Sequence, residues 1–511
     1  MPNEIELKLS ISSAHLPKLR HHPAILAALT GKPVTRKLTS IYYDTPLLAL
    51  LDAGISLRVR RMSGGWFQAV KAAGHSLAGL HQRMEWEDII AFGHPDFSKI
   101  TEPALIKIFD DPALRAALAP IFTTEVHRTE WHLAWENGDQ VELALDLGDL
   151  IIGTGDHAKA LESISEIELE LKGGNTGRLF DLALELQRDI PLQLENISKA
   201  QRGYAHYRPQ PPAIVKAQKT HLQRHIRAHE AFRQIAWECL GQLQANQEMV
   251  LHGTDIEGLH QMRVALRRLR SAISVFGEII AQDTAAPLRD ELRWLSNTLG
   301  LARDLDIFVA ETLPPILQRL QDHHGLVQLR TKAESVRKSA YKDVRDLLRS
   351  QRYHRLLLEL GAWLENGRWH RADTSDFSAF DLSKRMLAKR HRQLRKHGSK
   401  LAEMHPEERH ATRIAAKKLR YTAEFFSGFY PELKYRAFLR SLAKIQDTLG
   451  YLNDISVTEH LIRKLTGTRP SSELDESLLL LSGWNACNAT HQLLSLGKVW
   501  RSFARNTPFW K

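Results

Sequence analysis

Glu4-Ile5-Glu6-Leu7-Lys8 is the stretch on which the reading of this chain turns. In an extended strand, side chains two residues apart share a face. Glu4, Glu6 and Lys8 therefore point one way, while Ile5, Leu7 and Leu9 point the other. Two carboxylates at that spacing can hold one hard divalent cation, and the lysine beside them can meet an anion. A single strand of this kind also describes a solvated sheet face; the pattern gains weight by recurring.

It recurs up to about residue 205. Arg58 and Arg60 alternate with Leu57 and Val59, Lys71 shares a segment with Trp66 and Val70, and Arg83, Glu85 and Glu87 alternate with Met84 and Trp86. Arg128 begins another alternating run. Glu142, Ala144 and Asp146 oppose Val141, Leu143 and Leu145, and Glu166, Glu168 and Glu170 oppose Ile167, Leu169 and Leu171. Lys199 and Arg202 follow on a short segment that reads as helical. Alternation over 4–10, 55–61, 66–72, 83–90, 128–135, 140–147 and 165–171 predicts an antiparallel β domain with some helices. Its polar faces either all look into water or line a shared interior. The interior reading is a closed barrel with both signs of charge in its lumen and apolar faces turned outward against helices. Such a lumen is costly unless a charged ligand and metal fill it.

The 511 residues predict two or more domains, and 43% hydrophobic with 25% charged residues is normal for globular ones. No apolar run approaches the roughly 18 residues of a membrane span, and charge arrives at Glu4, too early for a signal segment. Cys239 and Cys487 are the only cysteines, too few for a disulfide framework or a four-cysteine zinc site, so a reducing cytoplasm is expected. The net charge of +11 is uneven: residues 1–205 carry 21 Lys and Arg against 27 Asp and Glu, and the remainder carries 49 against 32. The basic C-terminal part calls for a polyanionic partner, such as nucleic acid, an anionic membrane or polyphosphate. Three prolines within 206–217 read as a stiff linker between the two regimes.

After that linker the periodicity is helical, and it repeats. His260-Gln-Met-Arg263-Val-Ala-Leu-Arg267-Arg268-Leu-Arg270 matches His410-Ala-Thr-Arg413-Ile-Ala-Ala-Lys417-Lys418-Leu-Arg420. Leu299-Gly-Leu-Ala-Arg303-Asp304-Leu-Asp306 matches Leu449-Gly-Tyr-Leu-Asn453-Asp454-Ile-Ser456, again 150 residues on. Two similar helical bundles related by a pseudo-twofold axis are expected. His260, Arg263, Arg267 and Arg270, like His410, Arg413, Lys417 and Arg420, share one helix face. An ordinary solvated face mixes signs; these stripes repel themselves unless an anion lies across them or acids from neighbouring helices pair them, with Asp304, Asp306 and Asp454 as candidates. The 25 histidines lack the companion ligands of a metal cluster; His21-His22 and His323-His324 read as surface loop residues.

The opening motif, the arginines at 58 and 60 and the Glu166/Glu168/Glu170 strand together resemble the CYTH family of triphosphate tunnel enzymes over residues 1–205. The basic stripe and the Leu-Gly-x-x-x-Asp block, both present twice, resemble the CHAD family over 218–505. The closing Asn506-Thr-Pro-Phe-Trp-Lys511 is similar to the end of bacterial two-domain proteins of this kind. The resemblance implies an α+β chain: an eight-stranded antiparallel tunnel that binds triphosphate with divalent metal, then an all-α domain of two four-helix bundles that binds inorganic polyphosphate. Carried over residue by residue, Glu4, Glu6 and one or more of Glu166, Glu168 and Glu170 would bind Mg²⁺ or Mn²⁺. Lys8, Arg58, Arg60, Lys71, Arg128 and Lys199 would hold phosphate oxygens, with Glu85 and Asp146 as supporting acids. Arg83 is either a ligand or a salt-bridge partner, and Glu87 an additional acid. The repeat departs from strict duplication at Asn453 and Ser456, which predicts weaker anion contacts in the second half.

The expected function is a cytoplasmic, metal-dependent inorganic triphosphatase whose helical domain brings it to polyphosphate, including polyphosphate granules. The rivals are hydrolysis of nucleoside or thiamine triphosphate or adenylate cyclisation in the same tunnel, a non-catalytic polyphosphate binder, and a nucleic-acid binder. The basic stripes lack the interleaved aromatics that favour single-stranded nucleic acid, and no membrane partner is expected.

Overall fold

The computed structural model describes residues 3–62, 64–72, 74–153, 159–321, 323–374, 376–398, 401, 404–466 and 472–511. The chain separates into two compact units, Met1–Pro211 with Arg349–Gly367, and Pro212–Leu348 with Arg368–Lys511. Among the described residues, no helix is long and apolar enough to cross a membrane.

The strands of the first unit are β1 (Asn3–Ile11), β2 (Val34–Asp44), β3 (Ile55–Met62), β4 (Gly65–Ala72), β5 (His75–Leu77), β6 (Leu80–Ile90), β7 (Ala119–Ala134), β8 (Gln140–Ile152), β9 (Lys159–Gly173) and β10 (Leu192–Leu194). Eight of them run in the order β1-β9-β8-β7-β2-β3-β4-β6, and β6 returns to β1, which closes the barrel. Every pairing is antiparallel; β5 and β10 are short additions to β6 and β1. Closure removes free edges and gives each strand an inside and an outside. Leu7, Leu9, Leu57 and Val59 on the outer face have no exposed surface. One patch of that face packs with Leu50, Leu105 and Phe109 of short covering helices.

β2 carries no alternating charge. Its cavity-lining residues, Arg36 and Tyr42, are separated by Leu38 and Ser40, so no charged pattern marks the strand. β7 likewise begins nine residues before Arg128, in a stretch without alternating charge.

The helix Gln351–Glu365 belongs to the first unit although it lies far along the chain. It packs against the helix Gly177–Gln187 and β10. A Cβ added to Gly361 would stand 2.2 Å from the Phe180 ring, so the helices meet as closely as glycine permits. The Leu194 N–H donates to His354 Nδ1 at 3.1 Å, and the Leu192 N–H to Gln351 Oε1 at 3.2 Å.

The second unit contains the repeat as four helices followed by four: Ala228–Ala245, Glu257–Val275, Gln282–Ile307 and His324–Leu348, then Ala379–His397, Pro406–Phe425, Glu432–Thr466 and Ser472–Ala504. Each of the second set begins 148–151 residues after its counterpart. Phe276 and Phe426 are equivalent by the 150-residue offset, and their rings meet with centroids 5.5 Å apart. A residue that touches its own counterpart marks a twofold axis.

Candidate active site

The barrel lumen is a cavity of about 360 Å³. Among the described residues, nine Lys and Arg side chains and eight glutamates line it, a net of one positive charge with histidine neutral. Strand register brings like charges opposite one another: Glu6 faces Glu170, Asp146 faces Glu166, Glu142 faces Glu170, and Arg36 faces Arg128. Such pairs destabilise a sheet, so opposite charges must reach them from along the same strand, from other strands or from the helix that begins at Lys199.

Three constellations result. On β1, Glu4 takes Lys71 at 2.9 Å and Arg83 at 2.7 Å, while Glu6 takes Arg83 at 2.5 Å and Lys8 at 3.2 Å. Burial opposes the Glu4 charge, but Lys71 and Arg83 outweigh burial and hold the carboxyl well below the usual carboxylate range. On β8 and β9, oxygens of Asp146, Glu166 and Glu168 lie within 4.8 Å of one another. Arg128 donates to both oxygens of Asp146 at 2.7 Å and also to Glu168. Lys199 reaches Asp146 at 2.7 Å and bonds Glu166 and Glu168, and Lys8 bonds Glu168. Burial again disfavours these charges, but Arg128 and Lys199 hold Asp146, and Lys199 and Lys8 hold Glu168, well below the ordinary range. On the β3 side, Arg58 faces Glu85 at 3.3 Å and Glu87 at 3.4 Å, and Lys71 also meets Glu85 at 2.9 Å.

Arg60 differs from its neighbours. Its Nε donates to Ser40 Oγ at 3.0 Å, and among the described residues it makes no ion pair. Burial, with Arg58 and Arg128 nearby, pushes its pKa down to about 10. A guanidinium in this state is poised for an added anion.

All the tunnel residues expected from sequence are brought together, at two depths. Glu4, Glu6, Lys8, Arg58, Arg60, Lys71, Glu85, Arg128, Glu168 and Lys199 line the cavity. Asp146 and Glu166 lie behind it with 0% and 2% exposure, clamped by the cations above. Glu170 lines the cavity but pairs with Lys172 at 2.7 Å, and burial raises its pKa. Arg36, Tyr42, Glu130 and Lys172 also line the lumen and were not foreseen. Extending the alternation by one step would have found Glu130 after Arg128 and Lys172 after Glu170; nothing in the charge pattern marks Arg36 or Tyr42. Burial raises the Tyr42 hydroxyl, but Arg58 and Arg60 outweigh it and bring it below the ordinary tyrosine value.

The trio Asp146, Glu166 and Glu168 offers only carboxylate oxygens, the donors a hard divalent cation takes. A second, more apolar cavity of about 290 Å³ adjoins the lumen, sharing Lys71 and Arg83 and lined also by Leu51, Ile55, Ala72 and Tyr204.

In the second unit, the helices Glu257–Val275 and Pro406–Phe425 pack on each other, and a basic cleft of about 710 Å³ lies beside them. His260, Arg267, Lys417 and Arg420 line it, joined by Lys216, Lys219, Arg268 and Arg436. Arg263 donates to the Ser296 carbonyl at 3.0 Å, and Arg413 meets Asp454 at 3.7 Å. His410 bonds Asn453 through Nδ1 at 2.8 Å; neither His410 nor the exposed Arg270 lines the cleft. Asp306 is held by Arg337 and Tyr341, both at 2.8 Å, and does not neutralise the stripe. Burial, Arg413 and Arg267 push Lys417 down to about 7. Nε atoms of Arg263, Arg268 and Arg413 are buried without a hydrogen-bond partner.

Comparison with known proteins agrees with this anatomy. The CYTH domain model matches residues 2–204 and the CHAD domain model residues 234–463. The inorganic triphosphatase of Haemophilus influenzae is 32% identical over 206 residues, 40% of this chain and 55% of that protein, so the likeness takes in little more than half of that relative. The uncharacterized protein MT2285 of Mycobacterium tuberculosis is 27% identical over 508 residues, covering 92% of this chain and 90% of its own length. The crystal structure of the CHAD domain from the plant Ricinus communis superposes with a TM-score of 0.51 at 33% identity, covering 57% of this chain and 97% of that one. The chain thus joins a CYTH domain to a CHAD domain and belongs among the CYTH–CHAD proteins.

Proposed function

We propose that the barrel hydrolyses inorganic triphosphate to pyrophosphate and phosphate with Mg²⁺ or Mn²⁺, and that the helical domain binds polyphosphate in its basic cleft. The observation that carries this reading is the charge balance of the lumen. Triphosphate brings roughly four to five negative charges near neutral pH, and the lining residues supply a net of one positive charge. Two divalent ions close that gap of roughly three to four charges, and the Haemophilus influenzae relative supports the choice of substrate.

Glu4, Glu6 and Glu168, with Glu166 and Glu170 beside them, would hold the metal, which would supply Lewis acidity and the positive charge the lumen lacks. Asp146 keeps Arg128 and Lys199 aimed inward. Arg60 offers its uncommitted guanidinium to the phosphate chain, and Lys8, Arg58, Lys71, Arg128 and Lys199 surround it. Water attacks the terminal phosphorus in line with the leaving pyrophosphate, a lumen glutamate receives its proton, and the cations stabilise the charge that develops on the leaving group.

Phosphate release by the purified chain from triphosphate, ATP and long polyphosphate, with and without each metal, tests this. Metal-dependent turnover of triphosphate that falls at least about 100-fold in Glu6→Gln is expected; no turnover, or undiminished turnover in the variant, overturns the reading. The apolar cavity beside Lys71 and Arg83 favours a second reading, an organic triphosphate with its organic part lodged there. Faster hydrolysis of ATP than of triphosphate would select it.

A further inference from the structure

The pair of carboxylates that opens the chain already holds a cation. Glu4 and Arg83 are register partners across β1 and β6, the pair of strands that closes the barrel. Arg83 Nε donates to Glu4 Oε2 at 2.7 Å, and Arg83 Nη2 to Glu6 Oε1 at 2.5 Å. The fork of one guanidinium thus spans both carboxylates. Lys71 and Lys8 also touch these acids, but each divides itself, Lys71 with Glu85 and Lys8 with Glu168. Among the described residues, Arg83 makes ion pairs with Glu4 and Glu6 alone. Closure of the barrel does not depend on that side chain, because β1 and β6 are paired by backbone from Asn3–Met84 to Leu7–Leu80.

We propose that Arg83 is a resident cation of the Glu4–Glu6 pair, which a divalent metal must displace and which an incoming phosphate chain draws away. Resting on the metal assignment above, this makes Arg83 a positioning residue that couples metal entry to substrate entry. Without an anion, the guanidinium keeps the two carboxylates from repelling one another and competes with the metal. With an anion in the lumen, the guanidinium gains phosphate oxygens, its best bidentate partners, and frees the acids. The arrangement keeps the lumen near neutral in both states and gives the metal its highest affinity when there is a substrate to act on.

The test is Mn²⁺ binding to the full chain without phosphate, followed by the loss of the free-ion electron paramagnetic resonance signal. Arg83→Gln is expected to bind Mn²⁺ at least about tenfold more tightly than the unsubstituted chain, equivalent to about 1.4 kcal/mol. Arg83→Lys should fall between, since an ammonium can pair with one carboxylate but cannot span two. A merely structural role predicts the opposite sign, because a loosened site binds metal more weakly. Equal or weaker binding by Arg83→Gln overturns the proposal. So does equal tightening by Arg60→Met, which removes a lumen cation that touches neither carboxylate. Should Arg83→Gln fail to fold by circular dichroism, Arg83→Lys decides alone: tighter binding than the unsubstituted chain supports the proposal, and equal or weaker binding overturns it. Glu6→Gln separates the two readings. If it leaves Mn²⁺ binding unchanged, the metal assignment fails and this inference with it; if it weakens binding while Arg83→Gln does not tighten it, the inference alone fails.

Discussion

Arg60→Met is expected to stabilise the ligand-free protein and to abolish its response to triphosphate. Among the described residues, Arg60 is a lumen cation that makes no ion pair; its Nε has Ser40 Oγ, and Arg58 and Arg128 are like-charged neighbours. Its pKa is pushed down to about 10 from the ordinary arginine value, so the charged form is disfavoured by about 3 kcal/mol on folding. The sign follows from linkage. The folded pKa lies below the unfolded one, so the penalty is fully present at pH values below about 10 and disappears as pH rises toward that of a free arginine. Water in the lumen reaches the partly exposed side chain and screens part of this, leaving a gain of about 1–2 kcal/mol for methionine. Urea or thermal unfolding in phosphate-free buffer at neutral pH measures it; about 2–4 °C in melting temperature corresponds to each kcal/mol for a unit of this size. Triphosphate at about 100 times its dissociation constant should stabilise the unsubstituted chain by about 2.7 kcal/mol and the variant hardly at all. A variant less stable without ligand, or one still stabilised by triphosphate to the same degree, refutes the reasoning.

Asp146→Asn should do the reverse: it leaves Arg128 and Lys199 to share the remaining acids in a wholly buried place and should cost about 3 kcal/mol or more in urea denaturation. Because Asp146 is held well below the usual carboxylate range, its contribution should be present above that range and be lost only as pH falls through its lowered value, which an acid titration of both proteins would show. Lys417, pushed down to about 7 by burial, Arg413 and Arg267, should gain its proton when a polyanion enters the cleft. Affinity for polyphosphate at fixed salt should therefore fall as pH rises through about 7, and Lys417→Met should flatten the profile. A fragment of residues 1–211 lacks the helix Gln351–Glu365 and bares Phe180, which is fully buried in the whole chain. It should melt lower than the corresponding unit of the intact protein and bind more of an apolar dye.

The barrel was legible because the charges of its lumen recur along the strands. Glu4-x-Glu6-x-Lys8 and Glu166-x-Glu168-x-Glu170 set charges on the inner face at a period of two, and a period of two is what a strand must show. β2 was illegible for the same reason in reverse: Leu38 and Ser40 break the run of charge between Arg36 and Tyr42. The depth of each acid could not be read either. Glu142, Asp146, Glu168 and Glu170 look equivalent in sequence, yet Asp146 is sealed between Arg128 and Lys199 while Glu170 sits beside Lys172. That difference comes from which strands become neighbours when the barrel closes, information carried by no single segment. In the helical half the 150-residue offset announced the twofold repeat, and Phe276 against Phe426 bears it out. Which stripe residues reach the cleft depends on the crossing of two helices, and Arg270 and His410 share a stripe with residues that reach it without doing so themselves.

The helix Gln351–Glu365 has a consequence for how this protein is made. The first unit's own sequence runs to Pro211, but the helix that covers Phe180 is not synthesised until about 150 residues later. At ~5–20 residues per second of translation, the barrel waits roughly 8–30 s on the ribosome with an apolar face uncovered. During that interval the nascent barrel must be held by a chaperone or survive on the strength of its closed sheet, so the order of translation becomes part of the folding pathway.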